Sequence, residues 1–299
     1  MKEPQFTIAA VERDVGLSKD VLRVWERRYG FPVPDRDSND ERLYPAWQVL
    51  RLRLIKRLMD RGHRPGRLVT ASVNELEVLA ASSHGTTTDA NSGSDELDKL
   101  FVLIRQHKAA AYLQAMQQRL ARQGLRLFVH DTVAPLTVRV GLAWEQGRLQ
   151  VFEEHLFTEL TARVLRQAIA TVPGGSEPRV LLTTLPKEPH AMGLLMVEAV
   201  ISLEGARCIS LGTQMPLLEI VDAVAAHQVD VVALSFSAAF PARQVRALLE
   251  QLRAALPGTT ELWAGGAGVH KLAAPEGVVC MASLDNASAA VNGWRTPAT

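Results

Sequence analysis

The sequence is poor in cysteine and in long apolar runs. Its 299 residues include two cysteines, Cys208 and Cys280, which are too few for a disulfide framework and are typical of a reducing cytoplasm. No apolar run approaches the ~18 residues that a bilayer-spanning helix needs, and the first residues lack the basic-then-apolar pattern of a secretion signal. We therefore expect a cytoplasmic protein without a membrane partner, folded into roughly two or three domains.

The net charge of +1 conceals an asymmetry. Residues 1–70 contain 15 Lys and Arg against 10 Asp and Glu, a net charge of +5, whereas the rest of the chain contains 18 against 22, a net charge of −4. A basic segment joined to a mildly acidic body is expected of a chain that meets a polyanion at one end. By itself the charge pattern is a weak indication.

Four stretches of different character follow one another along the chain. Residues 1–76 combine short helices with polar turns, and residues 77–94, dominated by Ser, Thr, Gly and Asn, predict a flexible linker. Residues 95–174 have helical spacing with breaks at Gly124 and Gly147, which predicts a helical bundle. Residues 175–299 alternate apolar strands with amphipathic helices, which predicts a parallel sheet covered on both faces.

A helix-turn-helix pair opens the chain. Thr7 and Ser18 are placed to cap the two helices, and Gly16 to end the first. A cationic second helix after a tight turn is the arrangement that enters a DNA major groove, although a solvated charged face is the more common explanation when such a helix is taken alone. The candidate DNA contacts are Lys19, Arg23, Arg27, Arg28 and Tyr29 on that helix, and Arg36, Arg42 and Tyr44 in the ribbon that follows.

The segment FTIAAVERDVGLSKDVLRVWERRYGFPVPDRDSNDERLY resembles the winged-helix DNA-binding domain of MerR-family transcription regulators. The resemblance implies binding to spaced half-sites on double-stranded DNA by a homo-oligomer, a dimer or a tetramer, associated with the nucleoid. Many MerR proteins sense metals through cysteines just beyond this domain. Because no cysteine precedes Cys208, a thiolate sensor is disfavoured and we expect the sensor in the C-terminal two-thirds of the chain.

The loop EPHAMG follows the first strand of the predicted parallel sheet, where open α/β sheets bind their ligands. Its Glu-x-His-x-x-Gly pattern resembles the base-off, His-on cobalamin-binding domain, which implies His190 as the ligand of the cobalt. A neutral imidazole is a good cobalt ligand, and Glu188 can accept the other ring N–H and fix the tautomer. Gly193 lets the macrocycle approach the backbone. An unliganded histidine in a surface loop is the plain alternative.

Two further loops match the same resemblance. Ser235 and Ser237 end the third strand, and Gly265 and Gly266 end the fourth, where cobalamin domains line the channel for the nucleotide tail. Ser237 stands where leucine is common in the cobalamin enzymes. All of these loops lie on the carboxyl edge of the predicted sheet.

The helical stretch carries Trp144, nine intervening residues, and then Glu154 and His155. Upstream of a cobalamin loop, this spacing resembles the CarH/LitR-type light-responsive repressors, which use adenosylcobalamin as chromophore. The resemblance implies that Trp144 packs over the adenosyl group and that Glu154 and His155 border it. Glu145 stands where light-sensing relatives can have a histidine, so His155 or water is left to fill the upper site.

Together these features predict a cobalamin-dependent, light-responsive transcriptional repressor rather than an enzyme, with no catalytic residues. The predicted fold is a multidomain α and α/β chain with an N-terminal winged helix-turn-helix, a central helical bundle and a C-terminal Rossmann-like parallel sheet. Two alternatives stay open. One is a MerR-type regulator whose sensor domain does not use cobalamin, and the other is a subunit of a corrinoid methyltransferase or mutase.

Overall fold

The computed structural model describes residues 5–60, 63–81, 93–270 and 272–295. These residues form two compact units. The first contains the described residues within 1–89 together with Leu142–Gln150, and the second contains those within 90–141 and 151–299.

The first unit is built from short helices and a small antiparallel sheet. Its elements are β1 (Gln5–Thr7), α1 (Ile8–Val15), α2 (Lys19–Tyr29), β2 (Asp35–Arg36), β3 (Arg42–Pro45), α3 (Ala46–Asp60), α4 (Pro65–Thr70) and α5 (Val73–Ala81). The strand order is β1-β3-β2. Strands β2 and β3 form the predicted ribbon after the second helix, so the winged helix-turn-helix arrangement is confirmed.

The predicted caps of the first two helices are present. The side chain of Thr7 accepts a hydrogen bond from the backbone N–H of Ala10, and Ser18 accepts one from Val21. Gly16 ends α1 with a φ of 73°, a left-handed conformation that glycine adopts without a steric penalty. Leu22 and Trp25 are buried in the core of this unit, which fixes the face that α2 turns outward.

Helices dominate the first part of the second unit. They are α6 (Gly93–Arg105), α7 (Ala109–Phe128), a π-helical turn (Val129–Val133), α8 (Ala134–Glu145, whose last residues belong to the first unit) and α9 (Val151–Ile169). Gly124 interrupts α7 with a φ of 72° and a ψ of 164°, and Gly147 has a φ of 71° in the turn after α8. Both predicted breaks are therefore confirmed.

The π-helical turn surrounds a buried hydroxyl group that the apolar periodicity did not predict. Thr132 is fully buried, accepts a hydrogen bond from Nε of Arg119 at 3.0 Å and donates one to Gln123 at 3.0 Å. Single π-helical turns inside longer helices are uncommon and are often found near functional sites.

A five-stranded parallel sheet forms the second part of this unit. Its elements are β4 (Arg179–Thr183), α10 (Met192–Leu203), β5 (Arg207–Gly212), α11 (Leu217–His227), β6 (Val231–Ser235), α12 (Ala242–Ala255), β7 (Glu261–Gly265), a 3₁₀ turn (Ala267–Val269), β8 (Val278–Met281) and α13 (Leu284–Arg295). The strand order is β5-β4-β6-β7-β8. The predicted Rossmann-like architecture is confirmed.

Both faces of the sheet are covered because alternate residues of each strand point to opposite sides. Leu181 of β4 packs in the cluster formed with α11 and α12. Its neighbours Val180 and Leu182 pack in the cluster formed with α10 and α13. Because the strands are parallel, their carboxyl ends meet at one edge, and the loops after β4, β6 and β7 leave the sheet together.

Part of the predicted linker 77–94 falls on residues 82–92, which lie outside the described residues; its ends, 77–81 and 93–94, lie in α5 and α6. Among the described residues, no helix combines the length and apolarity needed to cross a membrane.

A buried hydroxyl pair ties α7 to α9 and can be tested. The Tyr112 hydroxyl lies 2.7 Å from Oγ1 of Thr161, and both side chains are buried. We expect Tyr112→Phe to lower the free energy of unfolding by about 1–3 kcal/mol, because it leaves the Thr161 hydroxyl buried without that partner. Adding Thr161→Val should recover most of the loss, because it removes the stranded group.

Urea denaturation of the full chain, followed by circular dichroism, measures both values. A double variant that loses as much as the sum of Tyr112→Phe and Thr161→Val alone would contradict the pairing.

Candidate functional site

His190 lies in the loop between β4 and α10, and Glu188 sets the orientation of its ring. Nδ1 of His190 is 2.5 Å from Oε1 of Glu188, and the backbone N–H of His190 donates to the same oxygen at 3.2 Å. A carboxylate acceptor at Nδ1 selects the tautomer with its proton there, so that Nε2 carries the lone pair. The ring is 52% exposed whereas the Glu188 side chain is 1% exposed. The predicted contact between Glu188 and His190 is present, and it leaves the lone pair on Nε2.

Glu188 also holds the loop after β6. Its second oxygen, Oε2, accepts the backbone N–H of Ser237 at 2.7 Å. One carboxylate therefore joins two of the loops that the sequence placed at the carboxyl edge.

Thr184 connects the same region to the loop after β5. Its hydroxyl donates to the carbonyl of Glu188 at 2.5 Å and accepts the backbone N–H of Gln214 at 2.8 Å. Sequence reasoning missed Thr184, although its position directly after β4 is where such a contact arises. Three loops are thus linked by two buried side chains.

The pair shifts both pKa values. Burial raises the pKa of Glu188, but the hydrogen bonds from His190 and Ser237 outweigh burial and hold that pKa below its ordinary value. The hydrogen bond to Glu188 raises the pKa of His190 and burial opposes the rise, while the charges of Glu188 and Glu154 add to it. Glu154, on α9, therefore lies close enough to the His190 loop to act on its charge.

A cavity of about 200 Å³ opens beside this loop. Its lining includes Gly193 at the start of α10, Ser235 at the end of β6, and Gly265 and Gly266 after β7, together with His270, which sequence reasoning missed. Four of the predicted cofactor-binding residues are thus brought together on one cavity.

The glycines of this cavity have different roles. A Cβ added to Gly193 would lie 2.4 Å from Oγ of Ser235, and one added to Gly266, whose φ is 93°, would lie 2.3 Å from the carbonyl of Phe236. Gly265 is less crowded, because its Cβ would lie 3.7 Å from the Met281 side chain. The first two glycines allow close packing of the loops, whereas the third leaves space on the cavity wall.

Ser237 does not line the cavity. Its backbone N–H donates to Oε2 of Glu188 at 2.7 Å, and its side chain also lies against that carboxylate. Ser237 thus serves to hold Glu188 rather than to form the cavity wall.

The predicted upper-face residues lie at the ends of α8 and α9. Glu154 accepts a hydrogen bond from Thr158 at 2.8 Å, and Nδ1 of His155 lies 3.0 Å from the carbonyl of Val151. Trp144 is half-buried in the last turn of α8, and its carbonyl accepts the N–H of Gly147 at 3.0 Å. It belongs to the first unit, so its position over a bound group stays a prediction.

Most of the predicted DNA contacts on α2 lie at its surface. Arg23, Arg27 and Arg28 are exposed, and Lys19 is half-exposed beside Glu12 with 3.6 Å between the charged atoms. The guanidinium of Arg28 lies 5.3 Å from the centre of the partly buried Tyr29 ring. The face opposite Leu22 and Trp25 is therefore a charged surface open to a ligand.

The ribbon residues differ from one another. Arg36 is exposed and pairs with Asp40 at 2.8 Å, whereas Arg42 is partly buried and pairs with Glu26 of α2 at 2.8 Å. Tyr44 is fully buried in the core, because it lies on the inner side of β3. We therefore leave Tyr44 out of the DNA contacts proposed below. Sequence reasoning missed Asp20 and Val24, which helical spacing places on the outer face of α2.

Three protein families match separate parts of the chain. The MerR HTH family of regulatory proteins matches residues 6–69, and two families described as B12 binding domains match residues 96–169 and 178–291. The first match covers the helix-turn-helix region, and the other two cover the helical segment and the parallel sheet that follow it.

The chain is homologous to two repressors of Myxococcus xanthus. The HTH-type transcriptional repressor CarH is 29% identical over 274 residues, which are 90% of this chain and 91% of CarH. The repressor CarA is 26% identical over 268 residues, which are 88% of each protein. The monomethylamine corrinoid protein of Methanosarcina barkeri superposes with a TM-score of 0.54 at 16% identity, over 68% of this chain and 100% of that protein, and so shares the fold.

The Glu188 hydrogen bond generates a prediction about His190. Glu188→Gln keeps the shape of the side chain but removes its charge and one of its acceptor oxygens. Because this hydrogen bond is the largest cause of the raised pKa of His190, we expect that pKa to fall in the variant. An NMR titration of the histidine rings in the cofactor-free protein measures it.

Glu219→Gln, at an exposed acid in the first turn of α11, is the matched control and should leave the His190 titration unchanged. Equal His190 titrations in wild type and Glu188→Gln would show that the carboxylate does not hold the ring.

Proposed function

We propose that this protein is a light-responsive transcriptional repressor that uses adenosylcobalamin as its effector. The observation that carries the proposal is the imidazole of His190, held by buried Glu188 with Nε2 directed away from the pair, at the carboxyl edge of the sheet. A neutral imidazole oriented by a carboxylate is a strong ligand for a borderline metal ion such as cobalt.

The residues around this loop fit the rest of the cofactor. Gly193, Ser235, Gly265 and Gly266 line a narrow cavity suited to a nucleotide tail, and Gly265 leaves room that a side chain would fill. On the upper side we assign Glu154 and His155 at the start of α9, and Trp144 at the end of α8. When bound, adenosylcobalamin supplies a cobalt–carbon bond that visible light cleaves.

A sensor of this kind acts through differential binding. A ligand shifts an oligomerisation equilibrium only if it contacts one state better than the other, and His190, on the loop before α10, and Glu154, on α9, would share one ligand. Assembly then joins several DNA-binding units, so that weak individual contacts combine through effective concentration. We propose a dimer or tetramer bound to promoter DNA in the dark, which blocks transcription.

Replacement of the lower ligand tests the cofactor assignment. We expect His190→Ala to weaken adenosylcobalamin binding at least about tenfold, a loss of about 1.4 kcal/mol or more. His227→Ala, at an exposed histidine in the last turn of α11, is the matched control and should bind like wild type. Absorbance titration in darkness measures both affinities. Equal affinities in the two variants would exclude His190 as the ligand.

Size-exclusion chromatography with absorbance detection tests the light response. The full chain, loaded with adenosylcobalamin in darkness, should elute as a larger species that retains the corrin absorbance and dissociates after green light. Retained corrin without a change of size would overturn the light-dependent assembly but keep the cofactor. Absence of corrin from the protein peak would instead favour a regulator that responds to a protein partner.

A further inference from the structure

Four residues form one stripe along the exposed face of α2. Asp20, Arg23, Val24 and Arg27 follow the spacing i, i+3, i+4, i+7, which places them on a single helical face. Leu22 and Trp25 lie on the opposite face and are buried at 0% and 5% exposure. This stripe is therefore the centre of the surface that α2 presents to a ligand.

The chemistry of the stripe is mixed. Asp20 is 89% exposed and pairs with Arg23 at 3.4 Å. Val24 is 42% exposed. Helix α2 lies wholly among the described residues, and Val24 is its exposed large apolar side chain. The stripe therefore contains a carboxylate at its start and an isopropyl group between two cations.

This mixture suits base edges better than phosphates. Phosphate contacts position a protein and are made by cations and N–H donors, and a carboxylate opposes them. In the major groove, by contrast, arginine pairs with guanine, aspartate accepts from the cytosine amino group, and apolar side chains contact the thymine methyl group. A valine between two arginines would have no role against phosphates.

We propose that Val24 contacts the 5-methyl group of a thymine in each half-site and so sets a thymine preference in the operator. The inference rests on the proposed function, since it requires α2 to enter the major groove. The pairing with Asp20 draws the Arg23 side chain toward the start of α2, and Arg27 lies on the other side of Val24, one turn toward the end of the helix. Val24 is thus the apolar residue of this stripe, and its neighbours Arg23 and Arg27 would fix the position of α2 along the groove.

The proposal is tested by selecting binding sites from random DNA and then removing single thymine methyl groups from the selected site. The full chain, loaded with adenosylcobalamin in darkness and separately without it, is used to enrich binding sites from random duplex DNA. Each thymine of the enriched site is then replaced, one at a time, by deoxyuridine, which removes the methyl group and keeps the base pair. Binding is measured for wild type, Val24→Ala and Val102→Ala. Val102 is 43% exposed on α6 and serves as the matched control.

At one position in each half-site, we expect loss of the methyl group to weaken wild-type binding about fourfold, the value of one buried methyl-sized group. Val24→Ala should show no further loss at that position, because its contact is already absent, and Val102→Ala should behave like wild type. Val24→Thr, which keeps a methyl group at the branch, should retain most of the effect.

The outcomes distinguish a failure of this inference from a failure of the proposed function. An enriched site at which no thymine couples to Val24 would overturn this inference and leave the proposed regulator intact. Failure to enrich any site in either cofactor state would overturn the proposed function, and the inference with it.

Discussion

A single buried carboxylate organises the carboxyl edge of the parallel sheet. Glu188 accepts the ring N–H of His190 with one oxygen and the backbone N–H of Ser237 with the other. Removal of a carboxylate from water is costly unless its oxygens are satisfied, and here the partners that satisfy them are the groups that must be positioned. The direction of the His190 ring and the separation of the loops after β4 and β6 both depend on this arrangement.

In the first unit, too, a few side chains determine how the elements are arranged. Its short helices bury few residues, so capping and a compact core of side chains such as Leu22, Trp25 and Tyr44 determine its shape. The ion pair between Arg42 and Glu26 joins the ribbon to α2. The ribbon and the outer face of α2 are therefore held in one register, which a protein that reads both a groove and its flanking backbone requires.

Much of this structure was predictable because local rules decide it. The caps at Thr7 and Ser18, the breaks at Gly124 and Gly147, and the order of strands and helices follow from turn chemistry and apolar periodicity. The contact between Glu188 and His190 was predictable because two residues of one tight loop are bound to be neighbours. Contacts between residues that are distant in sequence were not predictable. The bond from Ser237 to Glu188, the pair of Arg42 with Glu26 and the burial of Tyr44 depend on how strands and loops come together, and composition carries no signal for them.

The loops after β4, β5 and β6 are joined to one another by Glu188 and Thr184. Because these hydrogen bonds are internal to the protein, they order the three loops as the chain folds. A preorganised site binds more tightly for the same contacts, because association no longer has to order the protein. The consequence is kinetic as well: ligands that bind at this edge would differ in affinity mainly through how fast each one leaves.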